Sequence, residues 1–269
     1  MICYPNAKIN LGLKILSKRQ DGFHNINSFF LPIPLFDVLE VKKDISLKTN
    51  KISYSGIPIP IEGKNLVLKA YDILQNDFNL SPLRIHLHKS IPIGSGLGGG
   101  SSNATFMLNI LNCLFNLELT KTELFNYARA LGSDCPFFLS NTLSNVLGVG
   151  DQITPHDYCF KNYFIVIIKP NIYCSTKKIF SKYKLIKPNS TILSLNEDML
   201  SWNENLVNDL EIITFSLYPE LREVKEYLYS LGALYASMSG SGSAIYGIFN
   251  FQPKTRREFD GFTWSAQLS

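Results

Sequence analysis

Pro92-Ile-Gly-Ser-Gly-Leu-Gly-Gly-Gly-Ser-Ser102 runs through Asn103 straight into Ala104–Phe115. Five glycines, Gly94, Gly96, Gly98, Gly99 and Gly100, fall within seven positions. So dense a run packs no core and loses much chain entropy on ordering. It suits a backbone that must approach a ligand closely and aim several N–H groups at it. Behind it Ala104, Met107, Leu108, Leu111, Leu114 and Phe115 recur at helical spacing, so the loop feeds an amphipathic helix. A loop in that place borrows the positive end of the helix dipole and becomes an anion site. Ser101 and Ser102 can cap the helix and offer hydroxyls to a phosphate or a metal ion.

Two common phosphate loops do not fit. The chain has no G-x-x-x-x-G-K-[ST], which excludes a Walker-type loop. Gly94-x-Gly96-x-x-Gly99 does satisfy the dinucleotide fingerprint, and Glu118 stands at a suitable distance downstream. That fold requires a buried parallel strand before the loop, yet Arg84-Ile-His-Leu-His-Lys89 alternates polar and apolar, and Pro92 intervenes. It also requires Glu118 to end a second strand, whereas Thr120-Lys-Thr-Glu123 is a capping box that opens another helix.

Outward from the loop, strands and helices interleave without strict β-α-β order. Upstream, Ile9, Leu11, Leu13 and Ile15 alternate with Lys8, Asn10, Gly12 and Lys14. That predicts a half-buried strand whose period of two sets Lys8 and Asn10 side by side. Asp21-Gly22 signals a turn, with Phe23 and His24 directly after it. Strands are predicted at Asp37–Val41, Ile45–Lys48 and Arg84–His88, and a helix at Asn65–Gln75. Downstream, the helix opened by the capping box runs to Leu131 with Gly132 as its stop, and Gly132-Ser-Asp-Cys-Pro-Phe-Phe138 follows as a turn. Tyr163–Lys169 reads as a strand halted by Pro170. Leu221, Val224, Leu228 and Leu231 mark a helix that Gly232 ends. Ser239-Gly-Ser-Gly-Ser243 is a loop before a strand at Ala244–Phe249. The pattern is α+β, in two lobes that meet near residue 150.

Bulk properties narrow the function. The 269 residues carry a formal charge of +4 without a block of Lys or Arg, too little to announce a nucleic-acid binder. Cys3, Cys113, Cys135, Cys159 and Cys174 are odd in number and lack CxxC spacing, which argues for reduced thiols in a cytosolic protein. No apolar run approaches bilayer length, and no basic segment followed by a long apolar stretch opens the chain. A cytoplasmic protein without membrane partners is expected, with monomer and homodimer both open.

Two charged residues complete the chemistry. Asp134, taken alone, could be a local cap before a Pro-containing turn, and Lys8 a solvated strand residue. Beside a phosphate loop the pair supplies what phosphoryl transfer needs: a carboxylate to accept a hydroxyl proton and a cation to offset negative charge. Ser239–Ser243 could be a tight hairpin or a second backbone cradle closing over phosphates.

Pro5-Asn-Ala-Lys-Ile-Asn-Leu11, Asp21-Gly-Phe-His24, Pro92–Ser102, Gly132–Phe138 and Ser239–Ser243 together resemble the ordered signatures of the GHMP kinases, along nearly the whole chain. The resemblance implies an N-terminal ribosomal-protein-S5-domain-2-like lobe that binds ATP, over residues 1–150. It implies a C-terminal ferredoxin-like lobe over 151–269. The first two segments point to a member that phosphorylates, with magnesium, the 2-hydroxyl of an erythritol moiety on a cytidyl-diphosphate substrate of isoprenoid biosynthesis. By motif match Asp134 becomes the general base and Lys8 its cationic partner. Pro92, Ile93, Gly94, Ser95, Gly96, Leu97, Gly98, Gly99, Gly100, Ser101 and Ser102 become the triphosphate loop, while Asn65 and Lys89 fall near the adenine. Asn10, Phe23, His24, Thr176 and Phe180 match positions that hold the cytidyl group, with Phe23 and Phe180 able to sandwich a flat base. The metal ligands are not assigned.

The chain departs from the family in three places. Phe23 stands where Tyr is usual, Ser133 replaces an Ala, and Gln252–Asp260 is shorter than the usual C-terminal helix. Two other readings stay open at this point: a GHMP kinase acting on homoserine, mevalonate or a sugar, and a non-catalytic nucleotide-binding paralogue.

Overall fold

The computed structural model describes residues 1–59, 65–183, 193–195, 199–255 and 259–268. In chain order the elements are β1 (Ile2–Cys3), β2 (Asn6–Lys18), β3 (His24–Phe36), β4 (Val38–Lys43), β5 (Lys51–Gly56), α1 (Leu66–Phe78), β6 (Leu83–Lys89), α2 (Gly99–Phe115), α3 (Lys121–Leu131), α4 (Phe137–Ser140), β7 (Ser144–Gly148), β8 (Gln152–Pro155), β9 (Phe164–Pro170), α5 (Thr176–Lys182), a 3-10 turn at Met199–Ser201, α6 (Trp202–Asn205), α7 (Glu211–Leu217), α8 (Glu220–Ser230), β10 (Tyr235–Met238), β11 (Ile245–Phe249) and β12 (Gly261–Gln267). They form two compact units. The first comprises Met1–Ala7, Leu35–Ile93 and Gly98–Asn141; the second comprises Lys8–Pro34, Gly94–Leu97 and Thr142–Ser269. The architecture is the α+β one predicted.

In the first unit a sheet of order β1-β4-β6-β5 packs on α1, α2 and α3. The alternation of β6 buries Leu83, Ile85 and Leu87, which join Leu39 and Val41 of β4. Val67, Ala70 and Leu74 of α1 and Met107, Leu108 and Leu111 of α2 close the other side of that core. Asn65 caps α1, its Oδ1 accepting from the Val67 amide at 2.9 Å. The capping box of α3 is present, with Thr120 Oγ1 accepting from the Glu123 amide and the Glu123 carboxylate accepting from the Thr120 amide. The strand predicted at Ile45–Lys48 is instead a turn. Asp44 Oδ1 accepts from both the amide and the hydroxyl of Ser46, a local bond that competes with extended pairing. The strand lies further on, at β5, which pairs parallel with β6.

The second unit holds two sheets, of order β2-β3-β7-β8 and β10-β11-β9-β12. Val166, Ile168, Ala236, Met238, Ile245 and Phe249 of the latter pack against Leu221, Val224 and Leu228 of α8. Strand β2 is not half-buried as expected: every residue from Asn6 to Leu13 is buried, polar face included. The expected stop at Pro170 and the helix ended before Gly232 both occur. Strand β3 was not foreseen, because Pro32 and Pro34 lie within it and Pro breaks ladder pairing. Its pairing with β7 spans Ile26–Phe30 only, and both prolines fall beyond that register.

Candidate active site

The Gly-rich loop is one continuous segment, of which Pro92, Ile93 and Gly98–Ser102 belong to the first unit and Gly94–Leu97 to the second. Helix α2 starts at Gly99, with Gly98 at the N-cap in the left-handed region and no side-chain cap. Gly98 reaches φ 71° there, a conformation open to glycine at little cost. No side chain caps the first N–H groups of α2, which lie at the positive end of the dipole. Ser102, in the same first turn, is fully buried, and its Oγ finds no hydrogen-bond partner among the described residues. A buried hydroxyl without a partner is costly unless something else completes it. Its position suits an anionic oxygen or the metal ion that accompanies one.

Within the first unit a buried cluster fixes where this loop begins. Asp37 Oδ1 accepts from the amides of Ser90 and Ile91 at 2.8 and 2.9 Å. Its Oδ2 accepts from Asn103 Nδ2 at 2.9 Å and pairs with Lys89 Nζ. Lys89 also donates to Asn103 Oδ1 at 3.2 Å. Lys89, predicted near the adenine, is thus 4% exposed with its ammonium group engaged; its side chain fastens strand β6 to α2. Burial pushes the Lys89 ammonium below its usual range, with Asp37 opposing. Asn65 lies at the start of α1, using its Oδ1 as a cap.

Asp134 sits half-buried in the turn between α3 and α4. That turn is bound to α2: Thr105 Oγ1 donates to the Cys135 carbonyl at 2.8 Å, and the Ser101 hydroxyl reaches the Cys135 thiol. Burial raises the Cys135 thiol to about 11, so it stays protonated at neutral pH. Asp134 is therefore tethered to the first two turns of the helix that the Gly-rich loop feeds.

In the second unit Lys8 is 2% exposed. Its amide donates to the carbonyl of Leu97 in the loop at 2.9 Å. Its Nζ donates to Asn10 Oδ1 at 2.6 Å and lies 4.4 Å from the centroid of the Phe30 ring. The adjacency of Lys8 and Asn10 predicted from the period of two is present. Asn10, expected at the cytidyl group, is itself buried, and its Nδ2 donates to Ser28 Oγ at 3.0 Å. Its amide donates to Ser239 Oγ at 3.3 Å, and Ser239 Oγ donates to the Gly96 carbonyl at 2.9 Å. Ser239–Ser243 is thus the turn of the β10–β11 hairpin, one of the two readings considered above, and it neighbours the Gly-rich loop. A Cβ on Gly96, whose φ is +79°, would stand 2.0 Å from the Ser239 carbonyl oxygen, so only glycine fits that approach.

The other cytidyl-site candidates also lie in the second unit. Phe23 is 62% exposed at the turn between β2 and β3. His24 and Phe180 stack with ring centroids 5.3 Å apart. Burial, and secondarily the charge of Lys18, holds the His24 imidazole below its usual range and favours the neutral ring. Thr176, exposed at the start of α5, shares a 2.8 Å hydrogen bond between its Oγ1 and Ser241 Oγ. Asp37 and Asn103, which hold the start of the loop, were not singled out in the sequence. Asn103 had one local signal, its place directly after Ser102 at the start of the helix.

The chain belongs to the GHMP kinase family. The model of the GHMP kinases N terminal domain matches residues 65–142, and that of the GHMP kinases C terminal matches residues 191–260. A 4-diphosphocytidyl-2-C-methyl-D-erythritol kinase of Azobacteroides pseudotrichonymphae is 46% identical over 252 residues, 93% of each chain. One of Parabacteroides distasonis is 41% identical over the full length of both. A crystal structure of 4-(cytidine 5'-diphospho)-2C-methyl-D-erythritol kinase superposes with a TM-score of 0.76 at 32% identity, covering 92% of this chain and 89% of that one. Within the GHMP class this chain belongs to the 4-diphosphocytidyl-2-C-methyl-D-erythritol kinase family. It is a small-molecule kinase, and ATP is its co-substrate. No helix among the described residues is long and apolar enough to cross a membrane.

Proposed function

We propose that the chain transfers the γ-phosphoryl group of ATP to the 2-hydroxyl of 4-diphosphocytidyl-2-C-methyl-D-erythritol, in the non-mevalonate route to isoprenoid precursors. The observation that carries this reading is the N-terminus of α2, which no side chain caps, with the Ser102 hydroxyl that has no partner among the described residues. Transfer is direct and in line. The O–H bond of the acceptor breaks as its oxygen bonds to the γ-phosphorus, ADP leaves, and Asp134 takes the proton. Lys8 offsets charge on the phosphoryl oxygens, and the amides of the Gly94–Ser102 loop orient the triphosphate. Positioning and electrostatics supply most of the acceleration in such a step.

Magnesium fits the residues present. Among the described residues no group of three or more His, Cys, Asp or Glu could hold a metal by itself, so the ion would ride on the nucleotide with the Ser102 hydroxyl as its protein partner. When bound it neutralises charge developing on the transferred group. Asn65 and Lys89 serve the nucleotide by fixing the backbone of α1 and of the loop. Neutral His24 addresses the polar edge of cytosine, Phe23 and Phe180 its faces, and Thr176 the group near Ser241. Asn10 acts by holding Lys8. The family matches fall on either side of residue 150 and support an ATP lobe over 1–150 and a second lobe over 151–269. The thiols of all five cysteines are free, which supports a reducing cytoplasm as the place of work.

A coupled ADP-release assay tests the substrate. The cytidyl-diphospho polyol should give kcat/KM at least a hundredfold above homoserine, mevalonate or free sugars; preference for any of these would overturn the assignment. Ser102→Ala is expected to leave thermal stability unchanged, because its hydroxyl has no bond to lose among the described residues. The KM for ATP should rise about tenfold, the scale of one hydrogen bond to a charged group. Steady-state kinetics with a thermal melt check both halves.

A further inference from the structure

Asn208 is fully buried in the second unit, just before α7. Its Nδ2 donates to the carbonyls of Met238 and Gly240, each at 2.8 Å, and its Oδ1 accepts from the Leu210 amide at 3.0 Å. Both donors and the acceptor of one amide are thereby used. The two carbonyls bracket Ser239, the residue whose hydroxyl meets the Gly96 carbonyl and the Asn10 amide. The Tyr246 hydroxyl fastens the Asn10 carbonyl from the same hairpin at 2.7 Å. The next residue, Asp209, takes hold of the strand that carries Lys8. Its amide donates to the Leu13 carbonyl at 2.8 Å, and its Oδ2 accepts from the Ile15 amide at 3.0 Å. Two adjacent side chains therefore clip the Ser239–Ser243 turn and strand β2 to one point.

We propose that Asn208 is a positioning residue for phosphoryl transfer, acting through Ser239 on Gly96 of the phosphate loop and on Asn10, the hydrogen-bond partner of Lys8. It touches neither nucleotide nor acceptor. Its side chain fixes the height of Ser239 between two carbonyls, and Ser239 in turn fixes one carbonyl of the loop and one amide of β2. A misplacement of about 1 Å at a reacting centre costs on the order of a hundredfold in rate, so the loss of this clip is felt in turnover more than in binding. The inference rests on the kinase reading above.

The test compares wild type, Asn208→Ala, Ser239→Ala and the double variant below their melting temperatures. Asn208→Ala should lower kcat about 10- to 100-fold, with the KM for ATP changed less than about threefold. Ser239→Ala should do the same, and the double variant should be no worse than the poorer single one, because both remove one linkage. Hydrogen exchange is read alongside: the Ser95–Leu97 amides should exchange faster in both single variants. A lowered melting temperature with native kcat, strictly additive losses in the double variant, or unchanged exchange at Ser95–Leu97 would each overturn the proposal. Should Asn208→Ala fail to fold, Ser239→Ala leaves the Asn208 anchors intact and decides by the same two readouts. Wild type lacking activity on the cytidyl-diphospho polyol would sink the substrate assignment alone; the exchange measurement still decides the clip.

Discussion

Asp134→Asn is expected to fold and to bind ATP with near-native affinity while losing on the order of 10²–10⁴ in turnover. At about 1.36 kcal/mol per tenfold, that is roughly 3–5 kcal/mol of barrier. The turn that carries Asp134 is held by bonds its carboxylate does not make: Thr105 Oγ1 to the Cys135 carbonyl, the Cys135 amide to the Gly132 carbonyl at 3.1 Å, and the Phe138 amide to the Cys135 carbonyl at 3.1 Å. An isosteric amide leaves these in place. It cannot take up the proton of the attacking hydroxyl. The Gly94–Ser102 amides proposed to receive the triphosphate are untouched. Single-turnover kinetics, a nucleotide titration and a melt of the same preparation check the three parts. Turnover within a few-fold of wild type would remove Asp134 as the base. Loss of ATP binding in parallel with turnover would make it a residue that shapes the loop.

The loop and α2 were legible because their signal is local. No core can be built from Gly94, Gly96, Gly98, Gly99 and Gly100, and the apolar spacing behind them has one period only. The same holds for the capping box at Thr120 and for the adjacency of Lys8 and Asn10. What could not be read is what those residues face. Strand β2 alternates as if one side were wet, yet Ser28, Phe30 and Ser239 meet that side. These partners lie 18 to 229 positions away and carry no motif that ties them to it. Asp37 was taken as the first residue of a strand because Val38–Val41 follow it; its partner Lys89 is 52 positions on. Asn208 and Asp209 sit in an ordinary Val-Asn-Asp-Leu stretch whose role exists only once β2 and the β10–β11 turn are in place. Local chemistry names the groups that react, and long-range hydrogen bonds decide where they stand.

Asp37→Asn is expected to destabilise the fold by about 3–5 kcal/mol, the cost of leaving one member of a buried ion pair without its partner. The side chains of Asp37 and Lys89 are 0% and 5% exposed, so water screens neither. Asp37 receives two backbone amides, Asn103 Nδ2 and Lys89 Nζ on its two oxygens. An amide in its place would turn an NH2 toward some of these donors. The pH dependence carries the sign. Burial already holds the Lys89 ammonium below its usual range, and Asp37 is the group that raises it. Without that carboxylate the folded-state value drops further while the unfolded chain keeps the ordinary one. The unfolded state then binds the proton more tightly, so the variant gains stability as pH rises between the folded and unfolded lysine values. Urea unfolding from neutral to alkaline pH measures this directly. The double variant Asp37→Asn/Lys89→Met removes the stranded cation and should recover much of the loss, since buried pairs are often replaceable by apolar groups. A single variant that loses less than about 1 kcal/mol, with no pH trend, would show that this cluster does not hold the start of the phosphate loop.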